Sequence, residues 1–203
     1  AINGKRAIES VLGISFRNGG CFIHNSPRPL EDLSKITIPD RSKRIWKGYQ
    51  YYGFTLDIVE SSRGCVMRCN FCSMDKMYGK TFRRFSVERI LADISNAKQQ
   101  GANFSLFSDD NFTLDVKGFE SLCDAIVDAG HNDIRYIIQA SSTGIASSNT
   151  LVEKMARAGF RIVFLGIENV SEENLRLMKK GNIIEKTKLA VQRLHEHNIM
   201  IVG

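Results

Sequence analysis

The sequence predicts an α/β protein: a partial (β/α) barrel of parallel strands, preceded by a short hairpin and linker. Three observations lead to this reading. Apolar, strand-like runs begin near residues 54, 104, 134, 161 and 199, and the stretches between them place apolar residues at helical spacing. Two of those helical stretches stop at a glycine, Gly130 and Gly159, as helix C-termini commonly do. Polar residues also gather just after successive strands: a cysteine-rich loop, residues 108–111, residues 139–142, and Glu168 with Asn169. Alternating strands and helices build right-handed βαβ units, and such folds carry their chemistry at the carboxyl ends of the strands.

Residues 1–53 differ in texture from the rest. They hold all three prolines, Pro27, Pro29 and Pro39, and a basic run over residues 41–44. Residues 14–23 alternate in polarity around Asn18-Gly19-Gly20, the pattern of a β-hairpin. This segment is expected to be a short helix, a hairpin and a linker. From Phe54 the barrel pattern begins: a strand over Phe54–Val59, then residues 86–100 with Val87, Ile90, Leu91, Ile94 and Ala97 on one helical face. A strand over Phe104–Phe107 precedes a helix whose stripe is Phe119, Leu122, Cys123 and Ile126. Residues 134–140 and 148–158 form the third pair. Residues 161–167 open the fourth, whose helical stretch is broken at Gly181 and Asn182 and runs on to His197. Residues 199–202 begin a fifth strand. The opening at Ala1 and the end just after a strand suggest an excerpt: the end of an upstream domain over 1–53, and a barrel over 54–203 truncated after its fifth strand.

At 203 residues, 43% hydrophobic and 25% charged, the chain is long enough to bury a core. The formal charge of +6 suits an anionic substrate, a nucleic acid or an acidic partner, and equally a solvated basic surface. No run approaches the ~20 apolar residues of a membrane span. Five cysteines, three of them crowded together, do not make a disulfide framework, so a cytoplasmic setting is expected.

Those three are Cys65, Cys69 and Cys72, spaced C-x3-C-x2-C. Thiolate-held iron-sulfur clusters ordinarily take four cysteines, so three leave a position open to something that reacts. A structural zinc module with Cys21 or His24 as fourth ligand is the alternative from another class.

A C-x3-C-x2-C loop after the first strand of a βα series resembles the radical S-adenosylmethionine superfamily, and the resemblance extends over residues 54–203. It implies that Cys65, Cys69 and Cys72 hold three irons of a [4Fe-4S] cluster. The amino and carboxylate groups of S-adenosylmethionine would chelate the fourth. One electron would then cleave the sulfonium to a 5′-deoxyadenosyl radical, with an electron donor such as flavodoxin or ferredoxin. Phe71 matches the aromatic position near the adenine, or simply packs the loop. Ser108-Asp109-Asp110-Asn111-Phe112 lies where many members carry a Gly-Gly-Glu segment for the methionyl amino group. Ser108 and Asp109 are cofactor candidates there, with helix capping the other role open to Asp109 and also to Asp115. Glu168 would face the ribose or methionyl part, and Gln139 and Ser141 are weaker candidates.

The Asp-Asp-Asn-Phe wording and the texture of residues 13–39 are similar to the branch that carries a cobalamin-binding domain ahead of the radical domain. The Asp-x-His-x-x-Gly motif that would ligate cobalt does not occur in this sequence. Cobalamin is therefore expected to bind through a domain outside this chain, in a methyl transfer. A radical cyclase or oxidase, or a methylthiotransferase acting on tRNA or ribosomal protein, is the alternative. The substrate is left open. Cys123 is read as a buried thiol, His195 and His197 as residues at a helix end or facing water. Lys76, Lys80, Arg83 and Arg84 form a basic segment that either binds anions or is solvated.

Overall fold

The computed structural model describes Gly4, residues 6–46 and residues 48–203. Part of the predicted N-terminal helix thus falls on residues 1–3 and 5, outside the described residues. Two compact units divide the chain, residues 1–35 and 36–203.

In the first unit a 3-10 turn over Ile8–Ser10 precedes an antiparallel hairpin, β1 (Ser15–Asn18) and β2 (Cys21–His24). Gly19 and Gly20 form its two-residue turn with φ of 55° and 91°, the left-handed values that such a turn needs. Asn25 Nδ2 donates to the carbonyls of Ile8 and Val11 at 2.8 and 2.7 Å, tying the turn to the hairpin.

The first strand of the second unit is short and has no counterpart in the sequence reading: β3 (Gln50–Tyr51), antiparallel to β4 (Phe54–Val59). Then follow β5 (Ser62–Arg63), α1 (Met74–Tyr78), β6 (Arg83–Arg84), α2 (Val87–Gln99), β7 (Phe104–Phe107) and α3 (Val116–Asp128). The chain continues through β8 (Arg135–Ser141), α4 (Ser142–Ala146), α5 (Leu151–Ala158), β9 (Phe160–Gly166), α6 (Glu172–Leu177), α7 (Ile184–Glu196) and β10 (Met200–Val202). The main sheet has the order β10-β9-β8-β7-β4-β3, parallel throughout except at β3, and curls into a half-barrel. The five expected strands are β4, β7, β8, β9 and β10.

Alternation along the strands sorts the two faces of the sheet. On one face Phe107, Tyr136 and Phe160 are buried and meet Phe112 and Phe119 in an aromatic cluster, with centroids 4.4 Å apart for Phe112 and Phe119 and 5.1 Å for Phe119 and Phe160. Offset and edge-on contacts of this kind add to the area buried. Cys123 lies in the same core, its thiol pushed up by burial. Phe164, one step out of phase with the core residues of β9, is 43% exposed and faces the concave side. Helix starts follow local chemistry: Ser86 caps α2 by accepting from Arg89 N, and Asp115 caps α3 by accepting from Gly118 N.

The expected linker does not stop at Gly53. Arg41, from the basic run, is fully buried between β4 and α2. Its Nε donates to Asp57 at 2.9 Å, its Nη1 to Asp93 at 2.6 Å and Asn96 at 3.0 Å, and its Nη2 to the Ile58 carbonyl at 2.8 Å. A buried carboxylate needs a paired cation, and here the linker supplies it. The compact unit starts at Ile36, eighteen residues before the expected start at Phe54.

Candidate functional site

The cysteine loop leaves β5 at Gly64 and ends at α1. Gly64 has φ 91°, and a Cβ there would collide with the carbonyl oxygen of Thr81, so only glycine fits. Its N–H donates to Asp110 Oδ2 at 2.8 Å. Further along, Asn70 ties the loop to the end of α6: its Nδ2 donates to the Leu177 carbonyl at 2.6 Å and its N–H to that of Met178 at 3.3 Å. Cys65 and Cys69 lie between these anchors and Cys72 just beyond the second; all three are free thiols and line one open pocket of about 280 Å³ at the carboxyl ends of the strands.

The same pocket is lined by Asp110 and Asn111 after β7, by Gln139 and Ser141 on β8, and by Glu168 after β9. Lys180, from the turn between α6 and α7, reaches in and pairs with Glu168 Oε1 at 2.9 Å. Glu168 itself has a left-handed φ of 62°, which holds it out of line with β9. Burial raises the pKa of Cys65, and the neighbouring Cys72, Cys69 and Asp110 add to it. Burial likewise raises Cys69, against the pull of Lys180. To be held as thiolates against this burial the cysteines need positive charge beside them, which metal ions supply.

Residues 59–203 match the model of the Radical SAM superfamily. The chain belongs to this superfamily.

An uncharacterised methyltransferase of Pyrococcus horikoshii is 30% identical over the whole chain, which spans 44% of that protein. An anaerobic magnesium-protoporphyrin IX monomethyl ester cyclase of Synechocystis is 26% identical over 98% of the chain and 40% of its own length. The chain thus spans less than half of these relatives. Among solved structures, the radical S-adenosylmethionine methyltransferase TsrM of Kitasatospora setae, with tryptophan and an S-adenosylmethionine analogue bound, superposes with a TM-score of 0.78 at 18% identity, covering 98% of this chain and 41% of that one. The cobalamin-dependent radical enzyme OxsB gives 0.76 at 19% identity, covering 98% and 30%. Both show the same fold.

Radical SAM proteins imply a [4Fe-4S] cluster and S-adenosylmethionine. The donor set fits both. Among the described residues no three His, Cys, Asp or Glu side chains gather as a single-ion site. The three thiols line one pocket, and three cysteines could serve three irons of a cluster with one thiolate each. The same pocket holds carboxylates and a lysine, complementary to the charged ends of an amino-acid cofactor.

Of the residues singled out in the sequence, Phe71, Gln139 and Glu168 line this pocket with the three cysteines. Ser108 and Asp109 do not. Ser108 is exposed elsewhere, and Asp109 is completely buried, accepting from Ser61 N at 3.0 Å, Ser61 Oγ at 2.6 Å and Ser62 Oγ. Nor does Asp109 cap a helix: Asn111 and Asp115 do that work downstream. In an irregular loop the side-chain direction is set by tertiary contacts, and it turns Asp109 under the cysteine loop and Asp110 into the pocket. Ser141 lines the pocket but is also engaged, its Oγ capping α4 and contacting Thr113 Oγ1 at 3.1 Å. Lys180 was missed altogether. Its one sequence signal was its place beside the helix break at Gly181. Arg84 pairs with Asp115 rather than standing as a free anion site. Among the described residues no helix is long and apolar enough to cross a membrane.

Proposed function

We propose that this chain is the cofactor-binding part of a cobalamin-dependent radical S-adenosylmethionine enzyme that transfers a methyl group. The observation that carries the reading is the set of three free thiols on one pocket at the strand ends, facing Asp110, Glu168 and Lys180. When bound, the cluster supplies the single electron that splits the sulfonium of S-adenosylmethionine to a radical able to abstract hydrogen. The chain's own residues bind and orient. Cys65, Cys69 and Cys72 hold three irons and leave one open. Asp110, rather than Ser108 or Asp109, offers a carboxylate to the methionyl ammonium, and Lys180 offers its charge to the carboxylate. Glu168 and Gln139 face the ribose side, and Phe71 offers a ring to the adenine. The concave sheet face, with Phe164, gives these groups an apolar floor, and cofactor chemistry of this kind needs the protein mainly for such placement.

Methyl transfer is favoured by the named methyltransferases among the relatives, including a bacteriochlorophyllide d C-12(1)-methyltransferase of Chlorobaculum tepidum at 26% identity over 86% of the chain. Cobalamin would be held by residues outside this chain, and a flavodoxin or ferredoxin would deliver the electron. Ring closure is the second reading, favoured by the match to the cyclase. Anaerobic reconstitution is expected to yield about four irons and four sulfides per chain. Absence of a cluster, or its survival when all three cysteines are changed to alanine, would overturn the proposal. Mass spectrometry of the product then separates a methylated from a cyclised molecule.

A further inference from the structure

We infer that Asp109 is a positioning residue for the iron-sulfur loop, its buried carboxyl fixing the leg of chain that delivers Cys65 to the pocket. The inference rests on the cluster reading above. All three side-chain hydrogen bonds of Asp109 go to one short stretch: Ser61 N, Ser61 Oγ and Ser62 Oγ. Both serines are 3% exposed and Asp109 is fully buried. The next residue continues the contact, since Asp110 accepts from Gly64 N, one residue before Cys65. From the other side the stretch is held by Phe85 N donating to the Ser61 carbonyl at 2.9 Å and by the pairing of β5 with β6. The approach to Cys65 is therefore specified at Ser61, Ser62, Arg63 and Gly64 before any iron arrives.

A carboxyl in this place is costly if it only fills space, because an apolar side chain would do so without desolvation. Burial pushes Asp109 up to about 6, and its hydrogen bonds to Ser61 and Ser62 act against this. The charge it feels most is that of Glu60, like in sign. What Asp109 supplies is thus a set of acceptors rather than a counter-charge. Groups that orient metal ligands through hydrogen bonds commonly change metal retention when they are removed.

The test uses the full-length polypeptide, purified anaerobically with its cluster. Asp109→Ala is expected to release iron to a strong chelator about 10-fold faster or more, with an altered electron paramagnetic resonance spectrum of the reduced cluster and unchanged circular dichroism. Asp109→Asn is expected to restore retention to within about twofold, because its amide oxygen can accept from Ser61 N while the two hydroxyls rotate to accept from its NH2. If Asp109→Ala unfolds, Ser62→Ala decides against Ser105→Ala. Ser105 is also buried, but its Oγ faces the Asp57 carbonyl on β4, away from the loop. Faster release from Ser62→Ala alone supports the inference, and equal rates overturn it. A folded Asp109→Ala protein with wild-type release and spectrum also overturns it, while leaving the cluster reading intact. A wild-type protein that takes up no cluster defeats the cluster reading and the inference with it.

Discussion

Gly64 carries a severe steric constraint beside the pocket, with a left-handed backbone and the Thr81 carbonyl where a Cβ would stand. Gly64→Ala must therefore shift backbone, at a cost of about 1–3 kcal/mol for a strained conformation, and the shift lands on the residue before the first cysteine. Reconstitution of that variant is expected to give several-fold less iron and sulfide with normal secondary structure by circular dichroism. In the proposed function Lys180 contributes to cofactor affinity. Lys180→Ala removes the cation paired with Glu168 and is expected to weaken S-adenosylmethionine binding on the order of 10-fold, the scale of a hydrogen bond to a charged group. Equilibrium dialysis against the reconstituted protein measures this. Asp109 and Asp110 mark the limit of reading side chains from sequence. They are adjacent and chemically identical, yet one lies under the loop and the other lines the pocket.

At the scale of elements, the linker segment 36–44 is part of the barrel's first βα unit because of Arg41. Arg41→Ala would leave the buried Asp57 with Arg44 and the buried Asp93 with Arg89 at 3.8 Å as remaining cations, a partly compensated loss expected to destabilise the chain by about 3 kcal/mol. Urea unfolding followed by circular dichroism measures it. The same network sets an acid limit. Burial raises Asp57, but hydrogen bonds from Arg44 and Ile58 N and the charge of Arg41 outweigh it, leaving the carboxyl below its ordinary 3.8. A carboxyl with a depressed folded-state pKa contributes stability that is present above the unfolded value and lost as pH falls through the folded one. Unfolding midpoints are therefore expected to fall on acidification below about pH 4, and less steeply in Asp57→Asn. The elements themselves were legible where one local signal dominated. Phe54–Val59 and Phe104–Phe107 stand as the alternation and apolar runs predicted, and the helix from residue 86 starts at its serine cap. The segments missed, β3, β5, β6, α1 and α4, run two to five residues, too short to show a period.

Across the whole molecule, the aromatic core of the second unit and the cysteine loop are separate structures. The core is closed by Phe107, Phe112, Phe119, Tyr136 and Phe160, while Cys72 is exposed and Cys65 and Cys69 are half-buried at the pocket. Changing all three cysteines to alanine is thus expected to abolish cluster binding yet move the apo protein's stability by no more than about 1 kcal/mol, the range of substitutions outside a core. Thermal unfolding without iron checks this. The parallel half-barrel and the cysteine triplet after its first long strand were determined by the sequence alone. Period, spacing and strand-end placement are local or repeating signals, and they need no knowledge of what folds against what. Tertiary structure decided the rest: the start of the unit at Ile36, the burial of Arg41, the place of Asp110 rather than Asp109 in the pocket, and the arrival of Lys180 beside the thiols. Each depends on contacts between residues far apart in the chain, where burial and pairing choose among side chains that the sequence presents as equals.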